Sequence, residues 1–296
     1  MSTVTDRRVA TADPPPTGIA NPIHDDEGAD GAGYAGALVA GVRTYGWAAQ
    51  TIARALGSVW LDTGWVDVSL RRPLFVGDDL SIVVAAASDG DGATWRIEAT
   101  ARTGDGEPRV VLDGTAGLGD APWLGELDPP PVRPGQDPPT VRPTYDLASV
   151  PLGEPLRPLR AYVKADAARR IATDDLGIDD PRYLDPDQPA VHPYFLAGRM
   201  APLTRHNFTY GPTIHVRSQI QHRGPALADQ AITVGARIVD AYDRNGHWYQ
   251  VLDGIVTGDG GAGAGGQRST ELARIRHHTI FRPRGTVMPE PIRLAV

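Results

Sequence analysis

The chain has 296 residues, 41% of them hydrophobic, with a formal net charge of −7 and no cysteine. That length favours two domains of ordinary size over one large one, and the missing cysteines exclude disulfides, thiolate nucleophiles, Cys-ligated zinc and iron–sulfur clusters. Acidic and basic residues are interspersed rather than grouped in blocks, which argues against nucleic acid or an anionic membrane as the main partner. No apolar run approaches the roughly 20 residues of a membrane span. The start, MSTVTDRR, has no basic-then-apolar leader pattern, so the expectation is a cytoplasmic protein.

Residues 1–17 contain TADPPPT, whose three prolines forbid helix and central strand, so they read as an extended N-terminal arm. The pattern changes after Asp26, and YAGALVAGVRTYGWAAQTIARALG (34–57) predicts a helix, apolar on nearly every side at its beginning. A helix of that kind is usually wrapped by a sheet. Four strand-like segments follow, WLDTGWVDVSL, DDLSIVVAAAS, TWRIEATART and RVVLDGTAGL, separated by Gly/Asp turns. One helix followed by an antiparallel meander thus accounts for residues 18–120. Residues 121–149 are rich enough in proline to be an extended linker and domain boundary.

Beyond the linker the same grammar returns. YFLAGRMAPL (194–203) matches ALVAGVRTYG (37–46), with Gly198 where Gly41 falls. WVDVSLRRPLFVGDDLSIVV (65–84) has a counterpart in TIHVRSQIQHRGPALADQAITV (213–234), and HWYQVLDGIV echoes TWRIEATART, with Trp248 for Trp95. The expectation is two copies of one small α+β unit, at 18–120 and 150–288, with a short tail at 289–296.

The stretch Gly18-Ile19-Ala20-Asn21-Pro22-Ile23-His24, the glycine of LVAG at Gly41 and the turn RRPLFVGDD (71–79) together resemble the MaoC-like (R)-specific enoyl-CoA hydratase family. Counting both halves, the resemblance covers most of the chain. It implies a double-hotdog α+β fold, in which each antiparallel sheet wraps a long central helix and two units pair their sheets edge to edge. It also implies a hydratase- or dehydratase-type lyase acting on an enoyl or hydroxyacyl thioester, carried by CoA or by a carrier protein, with no cofactor or metal. By that resemblance His24 is the general acid/base, Gly41 the backbone amide that receives the thioester oxygen, and Asn21 the residue that orients the loop or a water. An imidazole exchanging protons near neutral pH and an N–H at a helix start suit those tasks. Gly41 equally suits close packing of helix on sheet.

One residue departs from the family pattern: its aspartate is Ile19 here. Asp25 or Asp26 could replace it, although acids there also suit the first turn of a helix; Asp174 or Asp175 could cross from the second half. Failing these, the pocket serves a cyclisation or isomerisation, or binds acyl chains without catalysis. A thioesterase is the weaker reading, because Gly31–Ala53 holds no carboxylate. Arg71 and Arg72 are candidates for the phosphates of a CoA-type substrate, or a solvated strand end.

Seven of the eight histidines lie in the second half, but their spacings fit no paired-ligand pattern. His277 and His278 fall on an alternating segment, so they should face opposite sides. His206 and His222 are the first places to look for a second pocket. The Gly-rich GDGGAGAGGQR (258–268) reads as a hairpin connection rather than a phosphate cradle. Exposed sheet edges make a homodimer the expected assembly.

Overall fold

A computed structural model describes residues 3–14, 21–31, 33–87, 93–209, 211–259, 269–286 and 290–293. In the first half strand β1 (Thr3–Val9) precedes helices α1 (Asp26–Gly31), α2 (Gly41–Leu56) and α3 (Trp60–Thr63), and then strands β2 (Trp65–Leu70), β3 (Asp79–Ala86), β4 (Thr94–Arg102) and β5 (Arg109–Gly117). The second half holds β6 (Val141–Arg142), β7 (Leu159–Tyr162), α4 (Ala165–Arg170), α5 (Pro181–Leu184), α6 (Pro193–Ala197) and α7 (Met200–Asn207). It ends in β8 (Ile214–His222), β9 (Ala231–Arg244), β10 (His247–Asp259), β11 (Ser269–Arg282) and β12 (Ile292–Arg293).

Ten strands form one sheet in the order β1-β3-β4-β5-β2-β8-β11-β10-β9-β7, and every pair is antiparallel. The second five repeat the first five in mirrored order about the β2–β8 pair, which runs from Trp65 opposite Gln221 to Ser69 opposite Arg217. The repeat extends to the turns. Gly77, at φ 91°, ends the first unit's β2–β3 connection, and Asp229, at φ 59°, sits at the matching place in the second. That conformation is cheap for glycine and tolerated by aspartate.

The inner face of the sheet buries Val66, Val68, Ile82, Val84, Ile97 and Ile220 against Tyr45, Trp47, Ala48 and Ile52 of α2. The small alanines let helix and sheet approach, and Gly57, at φ 90°, stops the helix. On the outer face the linker runs from β2 across the strands of the second half. Trp123 packs edge-on to Trp65 of β2, the Ala121 amide donates to Gln221 of β8, Arg276 of β11 donates to the Glu126 carbonyl, and the Asp128 amide donates to Asp253 of β10. Arg237 of β9 then holds the Asp128 carboxylate at 3.0 Å.

Four expectations need correction. Thr3–Val9 is not a free arm: it pairs along its whole length with β3 as an edge strand of the first unit. Its inward residues include Asp6 and Arg8, which bond each other, and Arg8 also lies over the Trp47 ring; an ion pair in place of apolar alternation hid the strand. The central helix starts at Gly41 rather than Tyr34, because Leu38 and Val39 run extended, their amides bonded to Ile23 and Leu74 carbonyls. Its counterpart is broken into α6 and α7 around Gly198 and Arg199. The tail is not free either, since Ile292–Arg293 pairs with Val141–Arg142 of the linker. The Gly-rich stretch joins the paired strands β10 and β11, though residues 260–268 lie outside those described, as do Gly18, Ile19 and Ala20.

Candidate active site

Asn21 and His24 lie on a single turn that closes with the His24 amide bonded to the Asn21 carbonyl. The ring of His24 is pinned from two sides: Nδ1 is 2.7 Å from the Leu38 carbonyl and Nε2 is 3.3 Å from Asn21 Nδ2. The carbonyl can only accept, so Nδ1 carries the proton and Nε2 keeps its lone pair, with an Asn21 amide proton directed at it. Asn21 also reaches the second unit, donating to the Thr213 carbonyl at 2.8 Å and accepting from the Thr213 amide at 3.3 Å. Its clamp fixes the histidine turn against the residues that lead into β8.

One carboxylate that the sequence reading did not consider stands beside His24. Asp13 follows β1, and its Oδ2 stands 3.3 Å from His24 Nδ1 and accepts the Ala40 amide at 2.8 Å. Ala40 caps α2 and has no side chain to do so, so this remote carboxylate acts as the cap at the positive end of the helix. Arg43, itself buried, holds the segment in place through the Thr11 carbonyl and hydroxyl and the Ala12 carbonyl, and it also donates to the Asp175 carbonyl of the second half. Burial pushes the Asp13 carboxyl above the usual carboxylate range, with His24, the Ala40 amide and Arg43 pulling the other way. Asp25 and Asp26 do not enter the site. They accept the Gly28 and Ala37 amides and serve as local turn caps. Asp174 bonds its neighbour Thr173, and Asp175 meets Arg43 through its main chain.

Gly41 opens α2, and its amide has no acceptor among the described residues. A Cβ built there would lie 3.1 Å from Leu70 and 3.1 Å from both Cβ and Nδ1 of His215, so the glycine admits a side chain of the second unit to the helix start. His215 reaches this place because β8 carries a register shift against β11: His278 faces Arg217 and Thr279 faces His215, leaving Val216 as the bulged residue. Bulges re-aim side chains in this way. His215 Nε2 bonds Ser218 Oγ at 2.8 Å, and that hydroxyl bonds His277 Nδ1 at 2.9 Å. Burial lowers His215 to about 4 and His277 well below its usual value, so both rings are neutral at pH 7.

Arg71 and Arg72 are not brought to this site. Arg71 is exposed and paired with Asp113 at 2.7 Å, on the outer face of the sheet; Arg72 is exposed beside it in sequence. Arg71 lines an open cleft of about 500 Å³ with Asp67, Arg217, Tyr242, Tyr249 and His278. Its arginines are neutralised there, since Arg217 grips Asp67 at 2.8 and 2.6 Å, and the sheet separates the cleft from His24. His277 and His278 do face opposite sides, one toward Ser218 and the other into the cleft.

The matching place in the second unit is filled. His192 caps α6 through the Tyr194 amide, and His222 lies against Trp60 with ring centroids 4.9 Å apart. Trp60, Tyr183, His192 and His222 are all fully or almost fully buried. His206 points elsewhere and bonds the Gln136 carbonyl of the linker.

No protein-family model and no curated protein sequence matches the chain, but solved structures do. A MaoC domain protein dehydratase from Chloroflexus aurantiacus J-10-fl aligns with a TM-score of 0.57 at 13% identity, over 96% of this chain and 95% of that one. Rv0216 from Mycobacterium tuberculosis, described as having a double hotdog fold, aligns at 0.54 and 16% identity over 84% and 83%. A MaoC-like dehydratase aligns at 0.53 and 18% identity over 87% and 89%. The chain therefore has the double-hotdog α+β fold, and its structural neighbours include MaoC-like dehydratases, as the motif around His24 leads one to expect. No helix among the described residues is long and apolar enough to cross a membrane.

Proposed function

We propose that this chain is a hydratase/dehydratase-type lyase acting on an enoyl or hydroxyacyl thioester, borne by CoA or a carrier protein. The observation that carries the reading is the Asp13–His24 pair at the start of α2, 3.3 Å apart beside an amide with no acceptor among the described residues. In the hydration direction His24 Nε2, released from its 3.3 Å contact with Asn21 Nδ2, takes a proton from water as the water oxygen bonds to the β-carbon. The double-bond electrons move onto the thioester oxygen, where the Gly41 amide and the positive end of α2 offset the developing charge. The imidazolium then returns the proton to the α-carbon, so that water is added across the bond and the enzyme is restored. Asp13 faces Nδ1–H and stabilises the imidazolium between the two transfers. Dehydration is the same path reversed.

The test is loss of the conjugated absorbance of crotonyl-CoA. We expect His24→Ala to abolish turnover and Asp13→Asn to lower it by about 10²–10⁴-fold, the usual range for a proton-transfer group. Turnover that survives both substitutions would overturn the assignment. Asp13 also favours a second reading, thioester hydrolysis, since it supplies near the helix start the carboxylate that Gly31–Ala53 lacks. Thiol release in the same assay separates the two: free CoA without hydration would move the assignment to a thioesterase.

A further inference from the structure

His215 belongs to the second unit, yet its side chain rests on the first residue of α2, with Nδ1 3.1 Å from where a Gly41 Cβ would stand. This contact is built rather than incidental. The Val216 bulge turns the residue to the inner face; regular pairing would put it outward with Arg217. Gly41 leaves room for it. Ser218 Oγ holds the far side of the ring at 2.8 Å and is itself bonded to His277 Nδ1 at 2.9 Å. The one unsatisfied position is Nδ1, which is sealed from solvent and has no partner among the described residues. Buried polar atoms are almost always bonded, so an orphan of this kind calls for an explanation.

We infer that His215 is a second donor to the substrate's thioester oxygen, acting with the Gly41 amide, and that Ser218 and His277 fix it as the Nδ1–H tautomer. The inference rests on the lyase reading above and adds a catalytic residue to it. The relay has one direction that serves this end. His277 Nδ1–H donates to Ser218 Oγ, the Ser218 hydroxyl donates to His215 Nε2, and Nδ1–H is left facing the helix start. In the opposite direction Nδ1 would present a lone pair, which cannot bind an oxyanion. With the relay set, two N–H groups from different units converge on one acceptor, and that acceptor gains charge only as the reaction proceeds. The second hotdog would then serve the first one's chemistry even though its own corresponding position is filled.

The experiment uses the full chain with butyryl-CoA carrying ¹³C at the thioester carbonyl, a saturated ligand that binds without reacting, alongside crotonyl-CoA turnover. Expected are a carbonyl infrared band shifted to lower frequency on binding, partial loss of that shift in His215→Phe, and a fall in kcat of about 10²–10³-fold with KM little changed. His24→Ala should keep the band shift while losing turnover. Because His215→Phe can disturb packing at Gly41, Ser218→Ala provides a second variant: it keeps the ring but frees the tautomer, and should lose part of the shift and about tenfold in kcat. If wild type turns over and both variants keep its band position and its kcat within twofold, the donor role is overturned and the lyase reading stands. If wild type neither binds butyryl-CoA nor hydrates crotonyl-CoA, the thioester reading fails and this inference falls with it.

Discussion

Asp13 is held in a poorly hydrated place for a carboxylate, and its two consequences have opposite signs. Its carboxyl titrates above the ordinary 3.8 because burial opposes the charged form. A raised carboxylate pKa gives stability that is present below the unfolded value and is lost as pH rises through the folded one. Above the unfolded value this shift therefore costs stability, a cost that Asn, neutral at every pH and still able to accept the Ala40 amide, does not carry. We expect Asp13→Asn to melt at the same temperature as wild type or higher at pH 7 while losing most turnover. A drop of several degrees in a thermal melt would mark the pair as structural instead. Such a trade of stability for activity is typical of functional groups. Asn21 and His24 are named as candidates by the NPIH stretch and Gly41 by the glycine of LVAG, all within one resemblance. Asp13 was not legible, because three prolines follow it and 11 positions separate it from His24. Only the pairing of β1 beside α2 brings it to the helix start.

Elements are legible here where one face is apolar and obscure where ion pairs or tertiary bonds replace that pattern. The strands β3 and β4 alternate cleanly. β1 turns Asp6 and Arg8 inward, and α2 begins only where the extended run of Leu38 and Val39 ends. Gly41 sits at that boundary, with strand β8 pressing on it from the other unit. Alanine is the better helix former by up to about 1 kcal/mol, yet its Cβ would crowd Leu70 and His215, both at 3.1 Å. We expect Gly41→Ala to destabilise by about 1–2 kcal/mol, an overpacking cost of about 1–3 kcal/mol less the gain in helix propensity, as a lower urea midpoint with unchanged slope. A higher midpoint would mean that helix propensity outweighs the contact, and that β8 approaches the helix more loosely than the structure places it.

At the scale of the whole molecule, the repeat and the division into two units were readable from four matched segments, whereas the fate of the second unit's histidines was not. Spacing alone cannot say that they are dispersed through an interior. His192, His215, His222 and His277 lie on the inner side of the sheet, and His278 is half-buried on the outer one. Burial lowers His192 to about 3, His215, His222 and His278 to about 4, and His277 well below its usual value. A depressed histidine pKa gives stability that is full above the unfolded value of 6.5 and is lost as pH falls toward the folded one. Near pH 5 each of these groups takes up about one proton on unfolding, which steepens the pH dependence by about 1.4 kcal/mol per pH unit apiece. Asp13, raised by burial, acts in the opposite sense, but it is one group against these five histidines. Urea midpoints measured from pH 7.5 to 4.5 should be level above 6.5 and fall steeply below it. His278→Gln, a substitution at the cleft-facing position, should reduce the slope near pH 5 by about one proton and leave the plateau nearly unchanged. A midpoint that stays level from pH 6.5 to 5 would mean that these rings gain protons without unfolding, and that the second unit is more open to water than its packing indicates.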